Sequence, residues 1–510
     1  MLFNSYPFLM VYLPIFLIGF FLLGRKNQGA AVAWIGIASL AFYAWWDYRD
    51  LALLLASIVF NFAVGTKLAT LAGTAPGKRL LSVAIVINLV GLAWFKYAGF
   101  AVASANALSG AAWNVPAIAL PIGISFFTFT QIAFLVDAWQ GKAREYNFAA
   151  YLAFVTYFPH LVAGPILHHK EMVPQFMDAN ILTPRARNFA IGLTIFVIGL
   201  AKKVLIADNL APFVNDVYRS PNEPSLLLAW GSTLAYAFQL YFDFSGYSDM
   251  AVGLARMIGV RLPINFHSPY KSVNIVEFWR RWHMTLSRFL RDYLYIPLGG
   301  NRHGPARRQV NLILTMLLGG LWHGAGWNFV IWGALHGLFL AVNHWWLSLK
   351  VRLGLKSWPG TRALAVLITF ICVCYAWVFF RATDLPSALQ IVKGMSGAYG
   401  IGLPQALADR LPGLTQWGQS VGLQFYLGGG GRFVELWSWV LVAGAIAFLA
   451  PNSQEILRRV RPALRDQTFN IPIISLPWRP RTAWAVGVGI AGAAAFLSLS
   501  NPSEFLYFQF

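Results

Sequence analysis

Charged side chains are scarce in this sequence. Asp, Glu, Lys and Arg make up 11% of its 510 residues, against roughly a quarter in a soluble globular domain. Hydrophobic residues reach 58% and aromatic residues 16%. These values exclude a disordered chain and an ordinary soluble enzyme. The composition predicts an integral membrane protein that crosses the bilayer several times.

Cysteine is almost absent, since only Cys372 and Cys374 occur. Two positions apart on one predicted helix, they point to different faces, so we expect no disulfide between them. Two cysteines alone cannot form a structural zinc site. The sequence also lacks an ATP-binding Gly-x-x-x-x-Gly-Lys loop, a Gly-x-Ser-x-Gly nucleophile elbow and a His-Glu-x-x-His zinc motif. We therefore expect neither a metal ion nor a bound cofactor.

Acidic residues are scarcer than basic ones. The sequence has 19 Asp and Glu against 39 Lys and Arg, which gives a formal net charge of +20. Such an excess can indicate a nucleic acid partner, basic cytoplasmic loops or a site for an anionic substrate. Basic pairs follow the first and third apolar runs, at Arg25–Lys26 and Lys78–Arg79, whereas the second loop, 47–50, is slightly acidic. This alternation places the N-terminus outside the cytoplasm, and we expect no nucleic acid partner.

Apolar runs recur along the whole chain, and we count about 11 to 13 hydrophobic segments. Several are shorter than the roughly 20 residues that span a bilayer, which predicts tilted, re-entrant or protein-buried helices. The run 309–349 has no charged residue over 41 positions, enough for two crossings. The sequence predicts an all-α integral membrane protein in four parts: N-terminal membrane helices (1–110), a core (111–380), an extramembrane loop (381–435) and C-terminal membrane helices (436–510).

All nine histidines lie between positions 160 and 344. Ionisable groups inside a bilayer are costly and mark functional sites, so we expect the chemistry in the middle of the chain. His323 lies in the uncharged run, where four of the eight residues 319–326 are glycine. A neutral imidazole there is a competent general base. The alternative is a structural histidine that hydrogen-bonds a neighbouring helix, which we expect for His336 and His344.

A second polar concentration covers residues 278–293. If this segment is one helix, four polar residues spaced three or four positions apart form one stripe: Arg280, His283, Ser287 and Arg291. Over 271–308, eight basic residues face two acidic ones, a net charge of +6. Two interpretations stay open. The arginines face lipid phosphates on a surface helix, or they bind the phosphates of a donor such as coenzyme A.

Two further polar clusters have mainly structural interpretations. Asp243 and Asp249 end an apolar run. Asp243 is costly near a bilayer unless it is paired, and an arginine of the stripe could supply the partner. Residues 157–165 read as a helix interrupted by proline and glycine, which is typical of a segment that lines a cavity.

The pairing of His283 with His323 resembles the membrane-bound O-acyltransferase superfamily. Its members carry a histidine in an apolar helix and a second His, Asn or Asp at a similar separation upstream; here the two are 40 residues apart. Residues 278–283 and 295–300 resemble the bacterial branch that O-acetylates exopolysaccharides, with the membrane subunit of alginate O-acetylation as the nearest likeness. Four further segments are similar to that branch: 1–5, 159–165, 243–249 and 504–508.

The resemblance implies helices around a central tunnel and an acetyltransferase in the bacterial inner membrane. Acetyl-CoA would reach His323, the general base, from the cytosol, while His283 would orient the thioester or stabilise the oxyanion. The donor would contact a set of polar and aromatic residues: Arg280, Arg281, Arg288, Arg291, Ser287, Trp279, Trp282 and Trp322. The implied partners are the lipid bilayer, a periplasmic acetyltransferase of the SGNH type and the polysaccharide synthesis machinery.

Other functions stay open at this point. Within the superfamily they are peptidoglycan O-acetylation and teichoic-acid D-alanylation. Outside it, a transporter for a polymer or a lipid-linked intermediate uses similar broken helices and internal polar groups. A transporter would tolerate the loss of His323 and would need no acyl-CoA, so the chemistry of this histidine distinguishes the two classes.

Overall fold

The computed structural model describes residues 1–356, 358–464, 474–500 and 506. In chain order the α-helices are α1 (Leu13–Gly24), α2 (Gln28–Ala44), α3 (Asp50–Thr70), α4 (Ala75–Ser109), α5 (Ile124–Trp139), α6 (Phe148–Thr156), α7 (Phe158–Leu161), α8 (His169–Phe176), α9 (Ala186–Ala201), α10 (Asp208–Tyr218), α11 (Leu226–Met257), α12 (Ile275–Arg281), α13 (Met284–Leu290), α14 (Gly304–His323), α15 (Trp327–Arg352), α16 (Thr361–Arg381), α17 (Leu385–Met395), α18 (Gln405–Arg410), α19 (Pro412–Ser420), α20 (Gly431–Leu449), α21 (Ser453–Ile456) and α22 (Thr482–Leu497). Strands β1 (Ile401–Leu403) and β2 (Leu423–Phe425) pair in parallel. Short π-helical turns occupy Phe8–Tyr12, Lys202–Ala207 and Arg291–Tyr295, and 3₁₀ turns occupy Ala179–Leu182, Pro269–Lys271, Arg458–Val460 and Ser498–Ser500.

Six helical stretches of the described residues are long and apolar enough to cross a membrane: Asp50–Thr70, Ala75–Ser109, Ala186–Tyr218, Thr361–Arg381, Gly431–Leu449 and Thr482–Ser500. Three shorter apolar stretches accompany them: Phe8–Gly24, Gln28–Ala44 and Ile124–Trp139. Large apolar side chains also cover the outside of the bundle. On α4, for example, Val90 and Trp94 are 61% and 59% exposed, as expected of a lipid-facing surface. The predicted all-α, multi-pass membrane protein with several short helices is confirmed.

Helix α11 is the central element of the fold, and most of its 32 residues are buried. It packs against α9 at two pairs of glycines. A Cβ on Gly253 would lie 2.6 Å from the carbonyl oxygen of Gly192, and one on Gly246 would lie 2.7 Å from that of Gly199. Small residues allow two helices to approach this closely. The first half of α11 belongs to one buried apolar cluster and its second half to another, so this helix joins the two cores.

The uncharged run 309–349, predicted to be long enough for two crossings, folds as parts of two helices, and neither helix is among the six stretches named above. Helix α14 ends at His323, residues 324–326 connect, and α15 begins at Trp327. Glycines again allow close packing, because a Cβ on Gly320 would lie 3.1 Å from the Cα of Gly333. This hairpin places His323 at the end of a helix rather than in the middle of a span.

The segment predicted as a long loop, 381–435, is folded in this structure. It contains α17, α18, α19 and the two strands, and it packs on the start of α11. The backbone N–H of Leu226 donates to Gly400 at 2.9 Å, and the Trp230 indole donates to Met395 at 3.0 Å. Glycine and proline therefore separate short elements here instead of marking an open loop. Of the terminal segment 504–508, only Leu506 belongs to the described residues.

Candidate active site

The segment predicted as one helix is broken at His283. Helix α12 ends at Arg281, Trp282 is extended with φ −102° and ψ 130°, and His283 is left-handed with φ 39° and ψ 55°. This conformation costs roughly 1–3 kcal/mol for a residue other than glycine and is concentrated at functional sites. The predicted stripe of Arg280, His283, Ser287 and Arg291 along one helix is therefore wrong, because the break changes the direction of the chain between its members.

Asn265 holds the chain on the far side of this break. Its side-chain oxygen accepts hydrogen bonds from the Thr285 hydroxyl at 2.6 Å and the Thr285 backbone N–H at 3.3 Å. The Met284 N–H donates to the Asn265 carbonyl oxygen at 3.0 Å. Asn265 is completely buried. These bonds satisfy N–H groups at the start of α13, which the helix itself leaves without partners.

The two predicted catalytic histidines lie together in the protein interior. His283 is 0% exposed and His323 is 6% exposed, and their ring centroids are 6.4 Å apart. Aromatic rings enclose the pair. His323 contacts Trp332 at 5.1 Å between centroids, and His283 contacts Phe244 at 4.9 Å. Both imidazoles are largely shielded from bulk water, which strengthens any electrostatic interaction that they make.

Two cavities reach the neighbourhood of this pair. The larger, of about 710 Å³, is lined by polar residues that include Arg280, Ser287, Arg288 and Arg291, and by Trp279; we call it the arginine cavity. The smaller, of about 220 Å³, is lined by residues that include Lys96, Ser125, Trp322 and His323; we call it the lysine cavity.

The two cavities are stacked along α14. Leu312, Thr315 and Met316 of this helix line the arginine cavity, whereas Trp322 and His323 at its end line the lysine cavity. The residues that follow His283, 284 and 285, also line the arginine cavity. His323 thus lies at the wall of the lysine cavity, whereas His283 lines neither cavity and directly precedes two residues of the arginine cavity.

Two of the predicted donor-binding arginines are held by half-buried carboxylates. Arg288 makes a bidentate ion pair with Glu171, with N–O distances of 2.8 and 3.1 Å. Arg281 is 5% exposed and donates to Glu277 at 2.6 Å; it is not among the residues that line the arginine cavity. Glu171 thus compensates the charge of Arg288 at the cavity wall. Arg281 lies away from the cavity and has a structural role.

The other two arginines remain open to solvent. Arg291 pairs with the adjacent Asp292 at 2.7 Å, and its side chain is 61% exposed. Arg280 is exposed, lines the arginine cavity and makes no ion pair within the described ranges. Among the four, Arg280 is therefore the group best placed to meet an incoming anion.

The remaining predicted contacts divide between the two cavities. Trp279 and Ser287 line the arginine cavity, and Trp322 lines the lysine cavity. Trp282 lines neither; it stacks on Phe278 at 5.6 Å between centroids. Of the three tryptophans predicted to contact the donor, Trp279 alone lines the arginine cavity, and Trp282 packs away from both cavities.

The prediction that Asp243 anchors an arginine of the stripe is wrong. Asp243 pairs with Lys203 at 2.9 Å and accepts a hydrogen bond from the backbone N–H of Leu506 at 3.1 Å. Asp249, also on α11, pairs with Lys202 at 2.6 Å. The sequence did not distinguish a lysine partner from an arginine partner, and both aspartates act in holding helices together.

Comparison with known proteins shows which family this chain is similar to. The model of the MBOAT family, membrane-bound O-acyltransferases, matches residues 40–383. The chain is 45% identical over 430 residues to the peptidoglycan O-acetyltransferase of Helicobacter pylori, covering 79% of this chain and 81% of that one. It is 38% identical over 522 residues to a Pseudomonas putida protein named "Probable alginate O-acetylase AlgI", covering both chains completely. The chain belongs to the membrane-bound O-acyltransferase family.

The protein is therefore an acyltransferase embedded in a membrane, and the predicted family and enzyme class are confirmed. A relative of another kind is more distant: the teichoic acid D-alanyltransferase of Streptococcus thermophilus is 29% identical over 283 residues, or 51% of this chain. The family match includes both histidines and the arginine cavity. Of the functions left open by the sequence, transport is set aside in favour of acyl transfer.

Acidic residues that the sequence did not single out support the arginine cavity of this O-acyltransferase. Helix α8 carries Glu171, the partner of Arg288, and His169, whose ring contacts Glu145 at 3.1 Å. Burial raises the pKa of Glu145, but the hydrogen bonds from His169 and from the backbone N–H of Asn147 outweigh it and hold the pKa below its usual value. Glu145 is thus an anion that fixes the start of α8, and with it the carboxylate that orients Arg288.

The O-acyltransferase also has a basic residue beside His323 that the sequence reasoning missed. Lys96 lies within α4 and lines the lysine cavity. A signal for it exists, because Lys96 is the only charged residue in 80–136, and a lone ionisable group in so long an apolar stretch marks a functional position.

Proposed function

We propose that this O-acyltransferase moves an acetyl group from cytosolic acetyl-CoA across the bacterial inner membrane for O-acetylation of an exopolysaccharide such as alginate. The observation that carries the proposal is the stacking of two cavities along α14, with His323 lining one and His283 directly preceding residues that line the other. The names of the relatives support acetyl as the group transferred, since they are called O-acetyltransferase and O-acetylase.

The distribution of charge supports a cytosolic arginine cavity. Basic residues flank the ends of α14 and α15 nearest to it: Arg302, Arg307, Arg308, Lys350 and Arg352. Residues 120–126 of the lysine cavity form the end of the connection from α4 to α5 and the start of α5. The other ends of these two helices adjoin basic residues at 78–79 and 142–144. By the positive-inside rule the lysine cavity faces the periplasm, as does the N-terminus.

In the proposed reaction, the acceptor hydroxyl enters the lysine cavity and donates its proton to the His323 imidazole. The hydroxyl oxygen attacks the thioester carbonyl, which projects from the arginine cavity, and His283 donates a hydrogen bond to the developing oxyanion. The C–S bond then breaks, the new C–O ester bond remains, and the imidazolium returns its proton to the departing coenzyme A thiolate. General base catalysis of this kind contributes about 10²- to 10⁴-fold in rate.

The acceptor that receives the acetyl group in the membrane passes it onward. We propose that a periplasmic acetyltransferase of the SGNH type completes the transfer to polymer, next to the polysaccharide synthesis machinery. The small volume of the lysine cavity, about 220 Å³, supports a hydroxyl-bearing side chain or a single small carrier group as the immediate acceptor. Typical ligand pockets of about 300–1,000 Å³ are larger.

The sidedness is tested with membrane vesicles of defined orientation and radiolabelled acetyl-CoA. Inverted vesicles, which expose the cytosolic face, should transfer label to an acceptor in their lumen, whereas right-side-out vesicles should require donor inside. Transfer in the opposite orientation, or no transfer from acetyl-CoA in either, would overturn the proposal.

A second candidate, peptidoglycan O-acetylation, is favoured by the 45% identity to the Helicobacter pylori enzyme. Ester-linked acetate measured on alginate and on peptidoglycan in a complemented deletion strain separates the two.

Replacing Arg280 by glutamate should raise the KM for acetyl-CoA about tenfold or more and leave kcat nearly unchanged. The reason is that Arg280 is the exposed, uncompensated cation of the arginine cavity, and a charge-assisted contact to phosphate contributes about 1.5–3 kcal/mol. The matched control is Arg302→Glu, the same charge change at an exposed residue that does not line the cavity. Equal KM changes in the two variants would indicate general attraction to a basic surface.

A further inference from the structure

Lys96 occupies an unusual position for a lysine. It lies 21 residues into the 35-residue helix α4 and makes no ion pair among the described residues. An ammonium group at membrane depth is costly unless polar groups replace its hydration. The structure supplies such groups, and they are not carboxylates.

The ammonium donates to the end of α14. Its Nζ lies 2.6 Å from the carbonyl oxygen of Trp322 and 3.1 Å from that of His323, with the Ser125 hydroxyl at 3.4 Å. The three contacts match the three N–H donors of an ammonium. The adjacent Tyr97 hydroxyl donates to the carbonyl of Leu321 at 2.7 Å. Three successive carbonyls at the end of α14 are therefore held by two neighbouring side chains of α4.

These carbonyls need partners from outside their helix. The last four carbonyls of any α-helix lack intrahelical donors, and the negative end of the helix dipole favours a cation there. After His323 the chain leaves α14 in an extended conformation, with Gly324 at φ −158° and ψ 153°. The backbone thus does not turn back to satisfy its own carbonyls, and Lys96 takes that role at the residue that carries the imidazole.

We propose that Lys96 is a positioning residue for acyl transfer: its ammonium holds the carbonyls of Trp322 and His323 and so fixes the His323 imidazole at the wall of the lysine cavity. The inference rests on the proposed role of His323. A catalytic group must keep its geometry to within about 0.5 Å, and a displacement of about 1 Å can cost about 100-fold in rate. Lys96 also lies 5.9 Å from the centroid of the Trp322 ring, so one cation holds the backbone and approaches the aromatic wall.

The test compares three variants of the full-length enzyme in proteoliposomes. Lys96→Met keeps the length of the side chain and removes the ammonium, Lys96→Arg keeps a cation, and Tyr97→Phe removes one hydrogen bond to the same helix end. We expect Lys96→Met to lower kcat about 10- to 100-fold with an unchanged KM for acetyl-CoA, because the donor binds in the other cavity. Lys96→Arg should recover part of kcat, and Tyr97→Phe should lose no more than about threefold.

A second measurement, the chemical modification of His323, does not require an acyl donor. Diethylpyrocarbonate modifies accessible imidazoles, and the extent of modification at His323, followed by mass spectrometry, should change in Lys96→Met and not in Tyr97→Phe. If wild-type protein transfers no acetyl group from acetyl-CoA, the proposed donor is wrong while this readout still tests Lys96. A kcat in Lys96→Met within twofold of wild type, or equal losses in Lys96→Met and Tyr97→Phe with unchanged His323 modification, would overturn the inference.

Discussion

Replacement of His323 by alanine is expected to lower acetyl transfer about 10²- to 10⁴-fold, which is the contribution of a positioned general base. The His323 imidazole lines the lysine cavity at the end of α14, and His283 lies 6.4 Å away between ring centroids. Its left-handed backbone and the bonds of Asn265 to the following residues fix His283 in its own position. We therefore expect that neither histidine can take over the role of the other. The measurement is ester-linked acetate on polymer in a deletion strain that carries the variant.

The control for this variant is a histidine at the opposite end of α14. His303 immediately precedes the first residue of the helix and is exposed, so His303→Ala should retain nearly full activity. Thermal unfolding and size-exclusion profiles in detergent report whether each variant is folded. Full acetylation by a folded His323→Ala protein would remove the proposed mechanism and leave the family assignment intact.

The position of His323 was predictable from a local signal, because it is an ionisable residue in an uncharged run. Its pairing with His283, 40 residues upstream, was predicted from the resemblance to the O-acyltransferase superfamily. The break at His283 was not predictable, because Arg280, Ser287 and Arg291 have the spacing of a helix. The break depends instead on Asn265, a buried amide about twenty positions upstream, and a single sequence does not show which distant amide will cap a helix.

Lys96 escaped prediction for a related reason. Its partners are backbone carbonyls of Trp322 and His323, 226 and 227 positions further along the chain, and carbonyls leave no trace in the pattern of side chains. A carboxylate partner would have been visible in the sequence as an acidic residue. The same limit explains Asp243, whose need for a cation was clear from the sequence, whereas the choice of Lys203 depends on how α11 packs against the π-helical turn after α9.

Replacement of Lys203 by methionine is expected to destabilise the protein by about 3–5 kcal/mol, the cost of breaking a buried ion pair from one side. The Lys203 side chain is 2% exposed and contacts two carboxylates, Asp208 at 2.5 Å and Asp243 at 2.9 Å. Methionine fills a similar volume, so packing changes little. The loss leaves the buried Asp243 and the half-buried Asp208 without their shared cation. Thermal unfolding in detergent, followed by tryptophan fluorescence, measures the change.

The neighbouring lysine provides the matched control. Lys202 pairs with Asp249 at 2.6 Å, but its side chain is 14% exposed, so water can solvate the aspartate in Lys202→Met and the loss should be smaller. Combining Lys203→Met with Asp208→Asn and Asp243→Asn removes all three charges and should recover most of the stability, since uncharged replacements of a buried ionic cluster are often tolerated. Equal melting temperatures for the two lysine variants, or no recovery in the triple variant, would show that packing and not charge controls the stability of this part of the core.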